Sequence, residues 1–398
     1  MKEFKNILEA YNKVDFTQRR AVLATVVKVR GSSYRSPGAR MLITDDGKWV
    51  GSISGGCLEG DALRKARQVM SNRVPLTVTY DTSEESNQNL GIGLGCNGII
   101  DVLLEPLDDA DNTNAATFFD SIIKRNSPVA LATVFTGDTP AETGHKLLLT
   151  EEHAILHQTI QHLDLAHAIA TDLATLFTTR KSEARQYALA GTTTEVFIEL
   201  IQPTVDVILF GGGFDARPVS QLMKSLGWGV TVTDECVAHI APLFFPAADK
   251  LALCQRQYVD RDFTITPYTA CVLMSHNYEY DRDVLRKLLS TETPYIGILG
   301  PRKRFDKMVK EFSNEGITLT ADDYHRIHAP IGLDIGAETP DEIAIAIAGE
   351  IQGKFSNRSG GFLKYRQAPI HHRDSLSDQV FKQVYLHTPD AARSAQGA

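Results

Sequence analysis

Sulfur, tryptophan and long apolar runs are all scarce in this chain. Five cysteines are spread over 398 residues with no CxxC pair. That excludes a tetrathiolate zinc module and a disulfide-stapled secreted domain, and makes a reducing, cytoplasmic setting the expectation. No stretch approaches the ~18 consecutive apolar residues of a membrane span. The first residues, Met1-Lys2-Glu3-Phe4-Lys5-Asn6, carry no apolar leader core. Positive charge is short as well: 41 Lys and Arg against 49 Asp and Glu leave a net charge of −8. Such a balance argues against a partner that is nucleic acid or an anionic membrane.

What remains is an ordinary globular composition, 43% hydrophobic and 23% charged, long enough for two domains. The first apolar periodicity predicts a helix over 2–13, and Ala21-Val22-Leu23-Ala24-Thr25-Val26-Val27 reads as a strand. Further strands are expected at 40–44, 49–53, 76–80 and 99–105, with a helix over 58–70. A degenerate copy follows: Val129–Val134 repeats the first strand, Lys146–Glu151 repeats Arg40–Asp45, a helical run fills 153–177, and Glu195–Glu199 repeats Asp101–Glu105. The fold class expected is α/β, an N-terminal α/β domain with an internal duplication followed by a Rossmann-like doubly wound parallel sheet. The divisions are 1–203 (lobes of about 1–107 and 120–203), 204–352, and a polar tail, 353–398.

Chemistry-bearing residues concentrate in the first lobe. Gly31-Ser32-Ser33-Tyr34-Arg35-Ser36-Pro37-Gly38-Ala39-Arg40 places two guanidinium groups around small residues, a composition suited to an anion. Two glycine-flanked cysteines follow, Cys57 in Ser54-Gly55-Gly56-Cys57-Leu58-Glu59 and Cys96 in Gly93-Leu94-Gly95-Cys96-Asn97-Gly98. Their spacing is not that of a zinc site, and loop positions make both thiols candidates for reaction or soft-metal contact. Because the second copy keeps the hydrophobic pattern but neither cysteine nor the serine–arginine loop, those residues read as functional rather than as scaffold. Cys236, Cys254 and Cys271 read as small buried hydrophobes.

In the second domain, Gly211-x-Gly213-x-x-Ala216 follows a strand and opens a helix, and Asp234 ends the next strand 21 positions after Gly213. That is the layout of a pyrophosphate turn with a ribose acid. His276, Asn277 and Asp281 lie where open α/β sheets bind ligands. Asp334 sits in a glycine-bearing loop ahead of a helix that Thr339, Pro340 and Glu342 should cap.

The serine–arginine loop, S-G-G-C-L-E, G-L-G-C-N-G, Met274–Asp281, Tyr295–Arg302 and Ala329–Ala344 together resemble the XdhC/CoxI family of accessory proteins for molybdenum hydroxylases. The resemblance implies a chaperone that binds the molybdenum cofactor (molybdopterin), shields it, permits its sulfuration by a cysteine desulfurase and delivers it to an apo-hydroxylase of the xanthine dehydrogenase type. Ser32, Ser33, Arg35, Arg40, Gly55, Gly56, Cys57, Gly95 and Cys96 would then serve the cofactor, with Cys57 and Cys96 touching molybdenum or relaying sulfur. Gly211, Gly213, Asp234, His276, Asn277 and Asp334 would belong to a second contact in the Rossmann domain. One departure is Phe214, where the family's glycine loop often carries histidine. The alternative is an NAD(P)-dependent oxidoreductase with His276 as acid–base, and a third reading is a scaffold with an idle glycine loop. A homodimer is compatible with each.

Overall fold

The computed structural model describes residues 1–82, 98–111, 114–137, 142–189 and 192–367. The chain divides into two compact units, essentially Glu3–Gln202 and Pro203–Arg366.

The first unit contains the same lobe twice. Its strands are β1 (Ala21–Gly31), β2 (Arg40–Thr44), β3 (Trp49–Gly51), β4 (Leu76–Asp81) and β5 (Gly98–Leu107), then β6 (Val129–Gly137), β7 (Lys146–Thr150), β8 (Ile155–Gln158), β9 (Glu183–Leu189) and β10 (Thr192–Ile201). The two sheets run β3-β2-β1-β5-β4 and β8-β7-β6-β10-β9, the same order. The helices are α1 (Lys2–Tyr11), α2 (Glu59–Asn72), α3 (Ala115–Ile123) and α4 (Leu163–Thr179).

Alternation along the strands sorts the core into layers. In the first lobe Val22, Ala24, Met41 and Ile43 pack against Ala62, Ala66 and Val69 of α2. In the second, Ala130, Ala132, Leu147 and Leu149 pack against Ile169, Leu173 and Leu176 of α4. The intervening positions, Leu23 and Leu42 from one sheet and Leu131 and Leu148 from the other, meet each other with α1 and α3. Both copies also carry the same irregularity: the register slips at Val27 in β1 and at Phe135 in β6. These bulged residues meet Leu103 and Phe197 in one small cluster.

Two buried ion pairs cross between the lobes. Arg40, opposite Thr25, binds Glu199; Lys146, opposite Thr133, binds Glu105. Their side chains are 3–7% exposed. Each cation also donates to a glycine carbonyl just upstream, Arg40 to Gly38 at 2.6 Å and Lys146 to Gly144 at 2.8 Å. The structure therefore corrects the anion-binding expectation for Arg40, whose fork is spent inside the core under the rings of Phe4 and Phe119.

Some local expectations change too. The run 153–177 is not one helix: the short strand β8 precedes α4. Strand β9 is not announced by the sequence pattern, and neither are strands β13 (Lys250–Leu253) and β16 (Ile327–His328) of the second unit.

That unit also holds β11 (Asp206–Phe210), β12 (Gly229–Asp234), β14 (Thr269–Leu273) and β15 (Tyr295–Ile298). Its order is β13-β12-β11-β14-β15-β16, every pair parallel. This is the Rossmann arrangement, with the chain reversing direction across the sheet between β11 and β14. Val207, Leu209, Val230 and Val232 pack with the helices Ala216–Ser225 and Pro340–Phe355 on one face. On the other, Ile208, Phe210, Cys271 and Leu273 pack with the helices Tyr278–Leu288 and Arg302–Asn314. Thr339 and Glu342 form the capping box of Pro340–Phe355, so that helix starts where its sequence signals place it.

Removing one member of an inter-lobe ion pair strands a buried charge. Glu199→Leu should lower stability by about 3–5 kcal/mol, and the double change Arg40→Met with Glu199→Leu should recover most of it. Urea denaturation of the three proteins measures this.

Candidate functional site

Cys57 lies on the turn between β3 and α2, and its thiol is exposed. The turn is built around one side chain, Glu59, at the first position of α2. Oε1 of Glu59 accepts from the Ser52 hydroxyl (2.8 Å) and from the amides of Ile53 (3.1 Å), Ser54 (2.9 Å) and Gly55 (3.2 Å). Oε2 accepts from the Ser54 hydroxyl and from the amides of Gly56 (2.9 Å) and Leu58 (3.2 Å). Burial alone would raise the Glu59 pKa, but the bonds from Ser54 and Ser52 outweigh it and hold the carboxyl at about 2. The amides of Gly55 and Gly56, expected to face an anionic ligand, are thus taken by the protein's own carboxylate. Sequence reasoning missed Glu59, and the available signal was an acid two residues after a Gly-Gly-Cys turn at the start of a helix.

Glycine is required at Gly55 (φ +90°), where a Cβ would come within 2.7 Å of the exposed Tyr34 ring. Ser32 is exposed, whereas Ser33 is buried and lines a shallow depression with Tyr34, Ser54, Cys57, Leu58 and Thr82. At Gly98 a Cβ would sit 2.1 Å from the Ser32 carbonyl, so this strand start packs bare backbone against the serine loop. Thr82 donates through its hydroxyl to the Gly98 carbonyl at 2.6 Å. Gly95 and Cys96 lie outside the described residues. Arg35 pairs with Glu3, both partly exposed, and the same Glu3 accepts the Arg40 amide at 2.8 Å.

In the Rossmann unit the predicted residues come together but face one another. Gly211 (φ +120°) lies against the Ser275 backbone, where a Cβ would come within 2.4 Å of its Cα. Asp234 accepts from the Gly212 amide (3.0 Å) and the Cys236 amide (2.8 Å), and lies 3.1 Å from Nδ1 of His239. The His239 carbonyl leaves no room for a Cβ on Gly212. His276, in the left-handed region (φ +60°), has its Nε2 3.1 Å from Asp215 and its ring close to Gly213.

The remaining candidates separate from this group. Asn277 caps a helix by accepting from the Tyr280 amide at 3.2 Å. Asp281 is buried, bonded to Ser275 (2.6 Å) and Arg304 (2.6 Å); burial raises its pKa against the pull of both partners. Asp334 is exposed on its loop, and Phe214 is 67% exposed.

Burial pushes the Cys271 thiol up to about 12, and burial with Asp262 nearby pushes Cys254 to about 11, so both are inert at neutral pH. Cys236 is exposed, which corrects the expectation of a buried hydrophobe.

The Glu59 carboxyl predicts a pH dependence. Its folded pKa lies below the ordinary value of 4.5, so the stability it supplies is complete above about 4.5 and is lost as pH falls towards about 2. The shift corresponds to about 3 kcal/mol. Chemical denaturation between pH 6 and 2 should show that Glu59→Gln is less stable than wild type at pH 6 and that the gap closes on acidification.

Comparison with known proteins follows the same two units. The profile described as the XdhC and CoxI family matches residues 17–81, and the one described as the XdhC Rossmann domain matches residues 207–351. The chain is 30% identical over 344 residues to a Bacillus subtilis protein described as a probable xanthine dehydrogenase subunit, covering 84% of this chain and 93% of that one. It is 22% identical over 331 residues to the molybdenum cofactor insertion chaperone PaoD of Escherichia coli, covering 83% and 82%. A crystal structure of a Bacillus halodurans protein described as a xanthine dehydrogenase superposes with a TM-score of 0.70 at 28% identity, over 92% of this chain and 98% of that one. On this identity and coverage, the chain belongs to the XdhC and CoxI family.

Proposed function

We propose that this protein carries the molybdenum cofactor as cargo, protecting it and handing it to a molybdenum hydroxylase of the xanthine dehydrogenase type. The names of its relatives in Bacillus subtilis and Escherichia coli support the reading. The observation that carries it on this chain is the exposed Cys57 thiol, presented on a turn whose Ser54, Gly55, Gly56 and Leu58 amides are held by Glu59.

Molybdopterin presents a phosphate and a dithiolene-bound metal. A thiolate suits the metal, and a partly exposed guanidinium with a serine hydroxyl suits the phosphate. Cys57 would take the first role, with Cys96 as a second thiol, while Ser32 and Arg35, the latter exchanging its Glu3 partner for the phosphate, would take the other. A cysteine desulfurase would supply sulfur to the held cofactor, and an apo-hydroxylase would receive it. A cytoplasmic homodimer acting as a maturation factor, rather than as a turnover enzyme, completes the reading.

The NAD(P)-dependent alternative rests on the Rossmann glycine loop and His276. A dinucleotide needs an acid open to its ribose and glycine-loop amides open to its pyrophosphate. Asp234 is committed to Gly212, Cys236 and His239, and the His276 ring lies over Gly213. These residues do not fit that cofactor.

Protein purified from a molybdenum-competent host should carry molybdenum and pterin together. The Cys57→Ala, Cys96→Ala double variant should retain about tenfold less metal. Retention at the wild-type level would remove the thiols from the binding role. A thermal shift with NAD or NADP, but none with cofactor, would favour the oxidoreductase.

A further inference from the structure

The reach of Glu59 goes beyond closing a turn. Seven donors converge on this one carboxylate: the amides of Ile53, Ser54, Gly55, Gly56 and Leu58 and the hydroxyls of Ser52 and Ser54. The Ser54 hydroxyl also accepts from the Leu58 amide at 2.8 Å, and Ser52 accepts from Gly55 at 3.0 Å. Such a ring of converging amides is an anion-binding concavity, here filled from within.

The duplicated lobe shows that the fold does not need it. Between β8 and α4 the second lobe spends only residues 159–162, against residues 52–58 between β3 and α2. It starts its helix with a side-chain cap from His162 to the Leu165 amide at 3.4 Å. The longer, carboxylate-filled connection occurs in the lobe whose turn carries a thiol.

We propose that Glu59 is the positioning residue of this site: its carboxylate occupies the amide nest so that the turn holds Cys57 outward for cargo. The proposal rests on the cofactor-carrier reading for what Cys57 meets, but the positioning itself does not. Cys57 lies between Gly56 and Leu58, whose amides both hold Oε2. Taking the carboxylate away leaves the donors on either side of the thiol without their acceptor. Without its acceptor the turn loosens, and Cys57, no longer fixed between Gly56 and Leu58, reacts faster with an alkylating agent. A small carboxylate from solution can refill the nest and reverse the change.

The test is the rate of Cys57 alkylation by iodoacetamide in the full-length chain, resolved from the other cysteines by peptide mass spectrometry. Wild type is compared with Glu59→Ala, Glu59→Gln and Asp61→Asn, with and without added formate. Glu59→Ala, its turn loosened, should react about fivefold faster, and formate should return it towards wild type while leaving Asp61→Asn unaffected. If the alanine variant fails to fold, Glu59→Gln, which keeps the shape but loses the charge, should show a smaller acceleration in the same direction. An unchanged rate, or a change that formate leaves in place, overturns the proposal.

Molybdenum content of the same variants separates the two readings. A formate-reversible rate with wild-type molybdenum retention upholds the positioning role and removes Cys57 from cargo binding. Loss of metal together with the reversible rate supports both.

Discussion

Two reciprocal buried ion pairs, Arg40 with Glu199 and Lys146 with Glu105, govern the first unit. Each takes its cation from one lobe and its carboxylate from the other, at matching positions of the two sheets. Charges taken this far out of water are tolerated only when fully paired. The lobes can therefore dock in one register, with each cation meeting its acid and its glycine carbonyl. The bulges at Val27 and Phe135 act on the same contact, turning one residue of each lobe into the shared cluster with Leu103 and Phe197.

A scaffold held by its symmetric parts leaves its unsymmetric parts free to specialise. The loop before β2 carries Arg35, tied to Glu3, which also fixes the Arg40 amide. One end of the serine loop is therefore anchored by the core pair, and the other packs its Ser32 carbonyl against Gly98. Between these anchors lie the exposed serine, the tyrosine ring over Gly55 and the cysteine turn. Among the described residues of the second lobe, nothing comparable replaces them. The copies share their packing and their ion pairs and differ in this loop and turn.

The duplication, the Rossmann sheet and the capped helix at Pro340 were legible in the sequence because each is written in local pattern. Alternating apolar residues fix a strand's faces, a glycine turn after a buried strand opens a helix, and Thr-Pro-x-Glu starts one. Partners were not legible. Arg40 and Glu199 stand 159 positions apart, and no periodicity says that one meets the other. Both arginines of the serine loop therefore read alike, although one is core and the other partly exposed. Short edge strands escaped for a related reason: β8 and β13 have four residues each and β16 has two, too few to display alternation. Glu59 was hidden by its neighbours, since glycine amides in a sequence advertise an anion without revealing whether the protein supplies it.

That last ambiguity recurs in the second unit, and there it bears on function. Asp234 and the glycine loop satisfy the sequence signature of dinucleotide binding, yet the carboxylate takes a loop amide and the His239 ring for itself. In both units a glycine-rich turn is closed by an internal carboxylate: Glu59 in one, Asp234 in the other. The two closures differ in extent: Asp234 takes two amides and the His239 ring, whereas Glu59 takes five amides and two hydroxyls. Around Asp234 the loop packs against His239 and Ser275 backbone, and His276 leans over Gly213 towards Asp215. Around Glu59 the turn displays the Cys57 thiol, and Asp234 likewise holds the amide of the exposed Cys236. A saturated nest has no affinity left for an anion, so its value lies in rigidity, and rigidity matters most where a reactive atom stands on top.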